Sequence, residues 1–294
     1  MTIGKTVKMI REEKGFTKKE VYAGVISKTF SYYFEKGENT ITVERLYKIL
    51  KDLNITYDEF FLIHNNFKYE PYDKIYSEIS LALNSNLSNL KKIYRDNYKS
   101  SDINKKVIAS LSFSLYLLNT NQSLENDTVL FLKNYLISLK NPTIIDLELF
   151  QYALIIFFDQ VDYLMLLMPT FERALEKYYQ SGFRKESIEL IIQELLLNYT
   201  QVLLINSRVE QAKSWQHNFL QRFPNVKSFE VILNIKCGKL LIELFDKQQK
   251  IRDEAASEYE RILYFLKESF QTDLNLKSVY LLMKKMSKEK FNKI

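Results

Sequence analysis

Apolar residues recur along most of this chain at intervals of three and four, the spacing that turns one side of an α-helix toward a core. Ile3, Val7 and Ile10 share a face of a helix predicted over 4–14, and Gly15 is placed to end it in a left-handed cap. Thr17 opens a second helix, and Glu20, three residues on, completes a capping box. Gly24 supplies a tight turn, after which Ser27 caps a third helix that runs to Lys36 and stops at Gly37. A fourth helix begins at Thr42 with Val43, Leu46, Leu50 and Leu53 predicted inward. Thr56 and Glu59 form another capping box that opens a fifth helix through Phe60 and Phe61. Five short helices in about sixty residues lie near the lower limit for an independent core.

After His64 the pattern changes. Asn65, Asn66 and the Lys68–Tyr72 stretch with Pro71 form a polar junction, which divides the chain into a domain over 1–64, a linker over 65–71 and a second domain over 72–294. From Tyr72 onward the sequence falls into amphipathic blocks at roughly 72 to 83, 86 to 99, 103 to 118, 125 to 138, 144 to 158, 160 to 178, 183 to 206, 208 to 222, 226 to 245, 250 to 269 and 273 to 286. Asn, Ser, Asp, Pro or Gly separate most neighbours, which suits antiparallel helix pairs. Pairs of about 35 to 45 residues have the period of a tetratricopeptide-like solenoid, although no repeat consensus is legible and an irregular bundle is the alternative. Four of the six glycines precede residue 38, and the whole chain has four prolines. That scarcity of turn residues argues against a sheet protein. The fold class is therefore all-α: an N-terminal five-helix helix-turn-helix domain followed by a tetratricopeptide-like helical repeat domain. The most apolar run, LFQYALIIFFDQVDYLMLLMPTF, is broken by Asp159, Gln160 and Asp162 and reads as a buried helical pair, not a membrane span.

Two short helices joined by a Gly turn have the geometry that reads DNA, with the later helix in the major groove. Its outward residues near the N-terminus, Lys28, Thr29, Tyr32 and Tyr33, are the candidates for base contact. Thr17 and Ser27 stand at helix starts, where hydroxyls and backbone N–H groups meet phosphate oxygens, and Arg11, Lys18, Lys19 and Lys36 would add charge to that grip. A plain solvated surface for the lysines, and capping alone for Thr17 and Ser27, are the alternatives.

The segment GKTVKMIREEKGFTKKEVYAGVISKTFSYYFEKGENTITVERLYKILKDLNITYDEFF resembles the repressor-like helix-turn-helix family. VISKTFSYYFEKGENTI, followed by a long helical remainder, resembles more narrowly the Rgg and PrgX regulators of Gram-positive bacteria, which respond to short peptide pheromones. The resemblance implies promoter DNA and a short signalling peptide as partners. Many members carry Gln or another polar residue where Phe30 stands and a basic residue where Tyr33 stands. Either Tyr33 uses its ring and hydroxyl instead, or Phe30 packs inward and base reading falls on Lys28 and Thr29.

Composition narrows the choice. At 46% hydrophobic and 14% aromatic, the chain can fill sizeable cores. Residues 1–68 carry 12 basic and 9 acidic side chains and the remaining 226 carry 30 and 27, so basic density is higher at the candidate DNA-binding end. Cys237 stands alone, which fits a reducing cytoplasm, and its apolar neighbours suggest a buried thiol. Lys5, Lys8 and Arg11 interrupt any signal-peptide pattern. His64 and His217 are far apart in sequence, and metal-binding and phosphate-loop signatures are absent. The reading is a cytoplasmic non-enzyme that needs no cofactor and engages no membrane.

A solenoid presents a concave face to an extended ligand, and a peptide backbone needs donors and acceptors together, which Asn and Gln supply. The apolar block SIELIIQELLLNYTQVLLINSR carries Gln193, Asn198, Gln201 and Asn206. Asn198 and Gln201, three apart, share a helix face and are the first candidates for clamping a peptide, with Asn234 as a companion and Arg184 or Lys185 for a peptide carboxylate. Hydrogen bonds between helices, or a place facing solvent, are the alternative for each amide. Lys140 is expected in an exposed loop. A homodimer is expected because one small helix-turn-helix spans few base pairs, with the helices from about 250 to 286 as candidate dimer surface or, equally, a capping repeat. Two classes survive: a dimeric, peptide-controlled transcriptional regulator, and a helical-repeat interaction module whose helix-turn-helix no longer reads DNA.

Overall fold

The computed structural model describes residues 1–68, 79, 81–83, 86–224, 226, 228–270 and 276–291. All secondary structure among them is helical. The chain divides into two compact units, Met1–Asn89 and Leu90–Ile294.

The first unit opens with α1 (Ile3–Glu13), α2 (Lys18–Tyr22), α3 (Lys28–Lys36), α4 (Val43–Asp52) and α5 (Tyr57–His64). Each begins at a hydroxyl residue: Thr2, Thr17, Ser27, Thr42 and Thr56 accept a hydrogen bond from the backbone N–H three positions on, satisfying a donor the helix leaves open. At Thr17 the capping box is complete, with the Glu20 carboxylate accepting from the Thr17 N–H at 2.7 Å. At Thr56 only half of the expected box forms: Glu59 donates its N–H, and the reciprocal bond is not made. Gly15, Gly24 and Gly37 all adopt positive φ (73°, 75° and 82°), the conformation these breaks require.

Val7, Ile10, Val21, Tyr22, Phe34, Leu46, Ile49, Leu50, Leu53 and Phe60 close the core of this unit. Val43 departs from expectation. In the first turn of α4 its side chain points outward, 65% exposed, and Ile49 takes the inward place. Gly4 matters for a separate reason: a Cβ there would lie 1.7 Å from the Phe34 carbonyl oxygen, so its bare backbone is what lets α1 lie against α3.

The second unit is a succession of helix pairs: α6 (Ser88–Asn97), α7 (Ile103–Asn119), α8 (Asp127–Ser138), α9 (Ile144–Ile156), α10 (Val161–Ser181), α11 (Lys185–Ile205), α12 (Val209–Arg222), α13 (Phe229–Glu243), α14 (Gln249–Phe270) and α15 (Leu276–Phe291). Alternate helices α7, α9, α11, α13 and α15 start 41 to 47 residues apart, the first three intervals within the period expected of a helical repeat and the last slightly longer. Most of these helices pack on their neighbour in sequence, and α9, α11 and α13 also pack side by side. The apolar run expected as a buried pair is α9 and α10, with Phe150 stacked on Phe171 at 3.9 Å between ring centroids. The block expected at 72 to 83 lies mostly outside the described residues. The last helix runs to Phe291, five residues beyond expectation, helped by the Lys285–Glu289 pair and by Ser287 donating to the Leu244 carbonyl.

α11 is the hub, in contact with α9, α10, α12, α13 and α15. It is long and apolar enough to cross a membrane, but 61% of its apolar window is buried inside the fold. Burial among five helices accounts for that composition. Trp215 ties three of these helices together: its indole N–H donates to Glu172 on α10 at 2.5 Å, and its ring meets Tyr199 on α11 and Phe219 on α12.

Candidate functional site

Helix α3 is held from beneath by a buried charge cluster. Glu35, near its end, accepts from Arg11 Nε (2.7 Å) and Nη2 (3.3 Å), from the Tyr22 hydroxyl (2.7 Å) and from Lys18 Nζ (2.9 Å). Burial alone would raise the Glu35 pKa, but hydrogen bonds from Arg11, Lys18 and Tyr22 outweigh it and hold the carboxyl below the ordinary carboxylate range. The same burial, reinforced by Glu35, pushes the Tyr22 hydroxyl far up, so it stays a donor. This cluster corrects one expectation. Arg11 does not face outward: its guanidinium is buried and shared among Glu35, Glu12 and the Phe16 carbonyl, so its charge serves the packing of α1 on α2 and α3.

On the opposite side of α3, Lys28, Thr29, Tyr32, Tyr33 and Lys36 are all exposed. Tyr32 and Tyr33 meet edge-on at 5.5 Å, and the Lys36 ammonium lies 4.4 Å from the centre of the Tyr32 ring, a cation–π contact that orders both side chains. Lys18 reaches toward the same ring at 5.5 Å while tethered to Glu35. Thr17 and Ser27 spend their hydroxyl oxygens on the caps of α2 and α3, accepting from the Glu20 and Phe30 N–H groups. Phe30 packs against the core, which leaves Lys28 and Thr29 as the outward residues at the start of α3.

The sequence reading missed Arg45. It stands exposed in the first turn of α4 and lines a hollow of about 400 Å³ with Gly24, Val25, Ile26, Ser27 and Phe30, beside the N-terminus of α3. Among the described residues its guanidinium has no carboxylate partner. The available signal was a basic residue three positions after the Thr42 cap, but nothing local says that α4 begins beside α3.

In the second unit, Asn198 and Gln201 lie half-buried on α11 without a side-chain hydrogen bond among the described residues. They continue an uncovered stripe with Leu190 and Glu194. Five residues before Asn198, the Gln193 side-chain oxygen is buried without a partner among the described residues. The Glu194 carboxyl is held above its ordinary range by the surrounding protein and by Glu148 of α9, and both carboxylates raise the Tyr152 hydroxyl, whose burial is the larger cause. The open faces of α9 and α11 therefore adjoin, with two carboxyls the sequence reading did not single out.

Asn234 is half-buried on α13, which packs against α11. Arg184 immediately precedes α11 at a left-handed φ of 44°, with its guanidinium over the Phe183 ring. Asn206, by contrast, donates to the carbonyls of Phe158 and Val202, fixing the end of α11 to the end of α9. Cys237 is fully buried, and desolvation pushes its thiol up to about 11, which keeps it protonated and inert.

Residues 7–60 match the helix-turn-helix family model. The chain is also similar to a candidate transcriptional regulator from Listeria monocytogenes EGD-e, at 20% identity over 99% of this chain and 98% of that one, with a TM-score of 0.73. Against the Streptococcus dysgalactiae SHP pheromone receptor Rgg2, the values are 18% identity, 95% and 99% coverage and a TM-score of 0.72. Against PrgX in its complex with cCF10 they are 20%, 96% and 99%, and 0.61. The chain thus shares its fold with these proteins along nearly its whole length.

Proposed function

We propose that this chain is a DNA-binding transcriptional regulator controlled by a short signalling peptide held in its helical repeat domain. The observation that carries the reading is the outward face of α3, where Lys28, Thr29, Tyr32, Tyr33 and Lys36 stand clear of the fold on a helix locked from behind by the Arg11–Glu35 cluster. A rigid helix with a free, basic and hydrogen-bonding face is what major-groove recognition needs. Lys28 and Thr29 reach base edges. Tyr32, Tyr33, Lys18 and Lys36 lie along the backbone, Arg45 adds a phosphate contact beside the turn, and the capped N-termini at Thr17 and Ser27 present N–H groups to phosphates.

In this reading the chain is organised as a DNA-binding domain over 1–64, a linker over 65–71 and a peptide-binding, dimerising repeat domain over 72–294. Support for the peptide comes from the shared fold with the SHP pheromone receptor Rgg2 and with PrgX in its complex with cCF10. The open amides of Asn198 and Gln201, with Asn234 on the next inner helix, are placed to pair with a peptide backbone. Arg184 is assigned to its carboxylate. Two copies of the chain occupy two half-sites, and the peptide acts through its difference in affinity between a DNA-competent and an incompetent state. The reading assigns the chain to the cytoplasm and gives it no reaction to catalyse and no cofactor.

The test is a gel shift with the full chain on DNA upstream of its own and neighbouring genes, with and without short peptides encoded nearby, over a range of salt. Specific binding that weakens steeply with salt and changes with one peptide is the expected result. Binding to no DNA at any salt would assign the chain instead to a protein-interaction role.

A further inference from the structure

Lys140, Arg173 and Lys177 converge on a hollow of about 440 Å³ in the second unit, lined also by Asn141, Thr170, Tyr178 and Phe183. No carboxylate lines it, and none of the three cations has an ion-pair partner among the described residues. Some other cations of the unit are matched, as Arg222 is by Glu172 and Lys236 by Glu258. Three like charges around one depression repel one another, so the arrangement costs stability unless an anion enters.

Two of the cations are also held in place by neutral groups. Arg173 Nη2 donates to the Thr170 hydroxyl at 3.2 Å, and Lys177 Nζ to the Asn141 side-chain oxygen at 3.4 Å. A neutral acceptor aims a cation without cancelling its charge, which preorganises it for a ligand. The last turn of α10 carries no basic residue, so these cations are not placed as caps for the helix dipole.

We propose that this hollow binds a small phosphate-bearing molecule of about nucleotide size. The Arg173 fork and the two ammonium groups match a tetrahedral, multiply charged group, because guanidinium pairs bidentately with phosphate oxygens and Lys serves as a point charge. Tyr178 and Phe183 supply flat apolar surface for the organic part. The volume falls in the range of small-ligand sites. This site is separate from the Asn198–Gln201 stripe, although Arg184, assigned to the peptide carboxylate, lies over the Phe183 ring at its edge.

The test is thermal unfolding of the full chain titrated with AMP, pyrophosphate or citrate at constant ionic strength. AMP and pyrophosphate should raise the melting temperature saturably. Arg173→Gln with Lys177→Gln should weaken that binding about tenfold or more, as should Lys140→Gln, which lies on a separate segment. Because all three side chains are exposed, each variant should melt at or above the wild-type temperature without ligand. A control pair, Lys105→Gln with Lys106→Gln, should bind as wild type. The proposal is overturned if neither phosphate probe gives a saturable shift, if the hollow variants respond as wild type does, or if citrate matches pyrophosphate.

Discussion

Replacing Glu35 by Ala tests whether the buried cluster is what fixes the DNA-reading helix. The Glu35 side chain is 3% exposed and that of Arg11 8%, so the change takes the buried carboxylate from a buried guanidinium and leaves it the exposed Glu12 and the Phe16 carbonyl. Removing one partner of a buried pair costs about 3–5 kcal/mol, and the contacts Arg11 keeps place this change toward the lower figure. The Tyr22 hydroxyl also loses its acceptor, at about 1–3 kcal/mol, but it belongs to the same network, so the two losses overlap and do not add. Lys18 is partly exposed and screened, and contributes at most about 1 kcal/mol. A net loss of about 3–5 kcal/mol is a large part of the total for a small domain. Amide hydrogen exchange in the full chain, followed at Val7, Ile10 and Phe34, reads this unit separately from the helical repeat. Exchange should quicken by about a hundredfold to a few thousandfold. The double change Arg11→Met with Glu35→Met, which removes both charges and keeps the volume, should restore most of the protection. Exchange in Glu35→Ala within about fivefold of wild type would refute the reasoning.

The same carboxylate sets a pH dependence. Its folded pKa is depressed, so its stabilisation is complete above the unfolded carboxylate value of about 4.3 and is lost as pH falls through the lower folded value; urea unfolding should show that loss in wild type and not in Glu35→Gln. Lys28→Ala with Thr29→Ala should cost about 1–3 kcal/mol for each good base pairing lost and relax discrimination, whereas Arg45→Ala should weaken all sequences alike and reduce the salt slope by about one; unchanged operator binding in the first variant would remove α3 as the reader. Gly4→Ala should unseat α1 from α3, since the new methyl meets a backbone carbonyl; an unchanged melting curve would show that the helices have room to part. Asn198→Ala should weaken binding of the cognate apolar peptide in calorimetry by up to about a hundredfold and Lys105→Ala should not, and equal affinities would place the peptide elsewhere.

The helices, their caps and the change from a compact helix-turn-helix to longer paired helices were legible in the sequence because each depends on residues within a turn of one another. A Thr17–Glu20 box, a Gly at positive φ or an apolar stripe closes its own hydrogen bonds and shows its own face. The outward set on α3 was legible for the same reason: helical periodicity alone separates Lys28, Thr29, Tyr32 and Tyr33 from Ser31 and Phe34. What periodicity could not decide was which partner a charge or an amide meets from far along the chain. Arg11 looks like any surface cation until α3 brings Glu35, 24 residues away, to its guanidinium. Val43 fits the apolar stripe of α4, yet the first turn of that helix projects past the core. Arg45 acquires a role only from the turn it lies beside, and Lys140, in the loop where it was expected, becomes part of a basic hollow only through Arg173 and Lys177. Local hydrogen bonding and periodicity settle an element's register, whereas the electrostatic role of its side chains depends on long-range packing, and that only the tertiary structure decides.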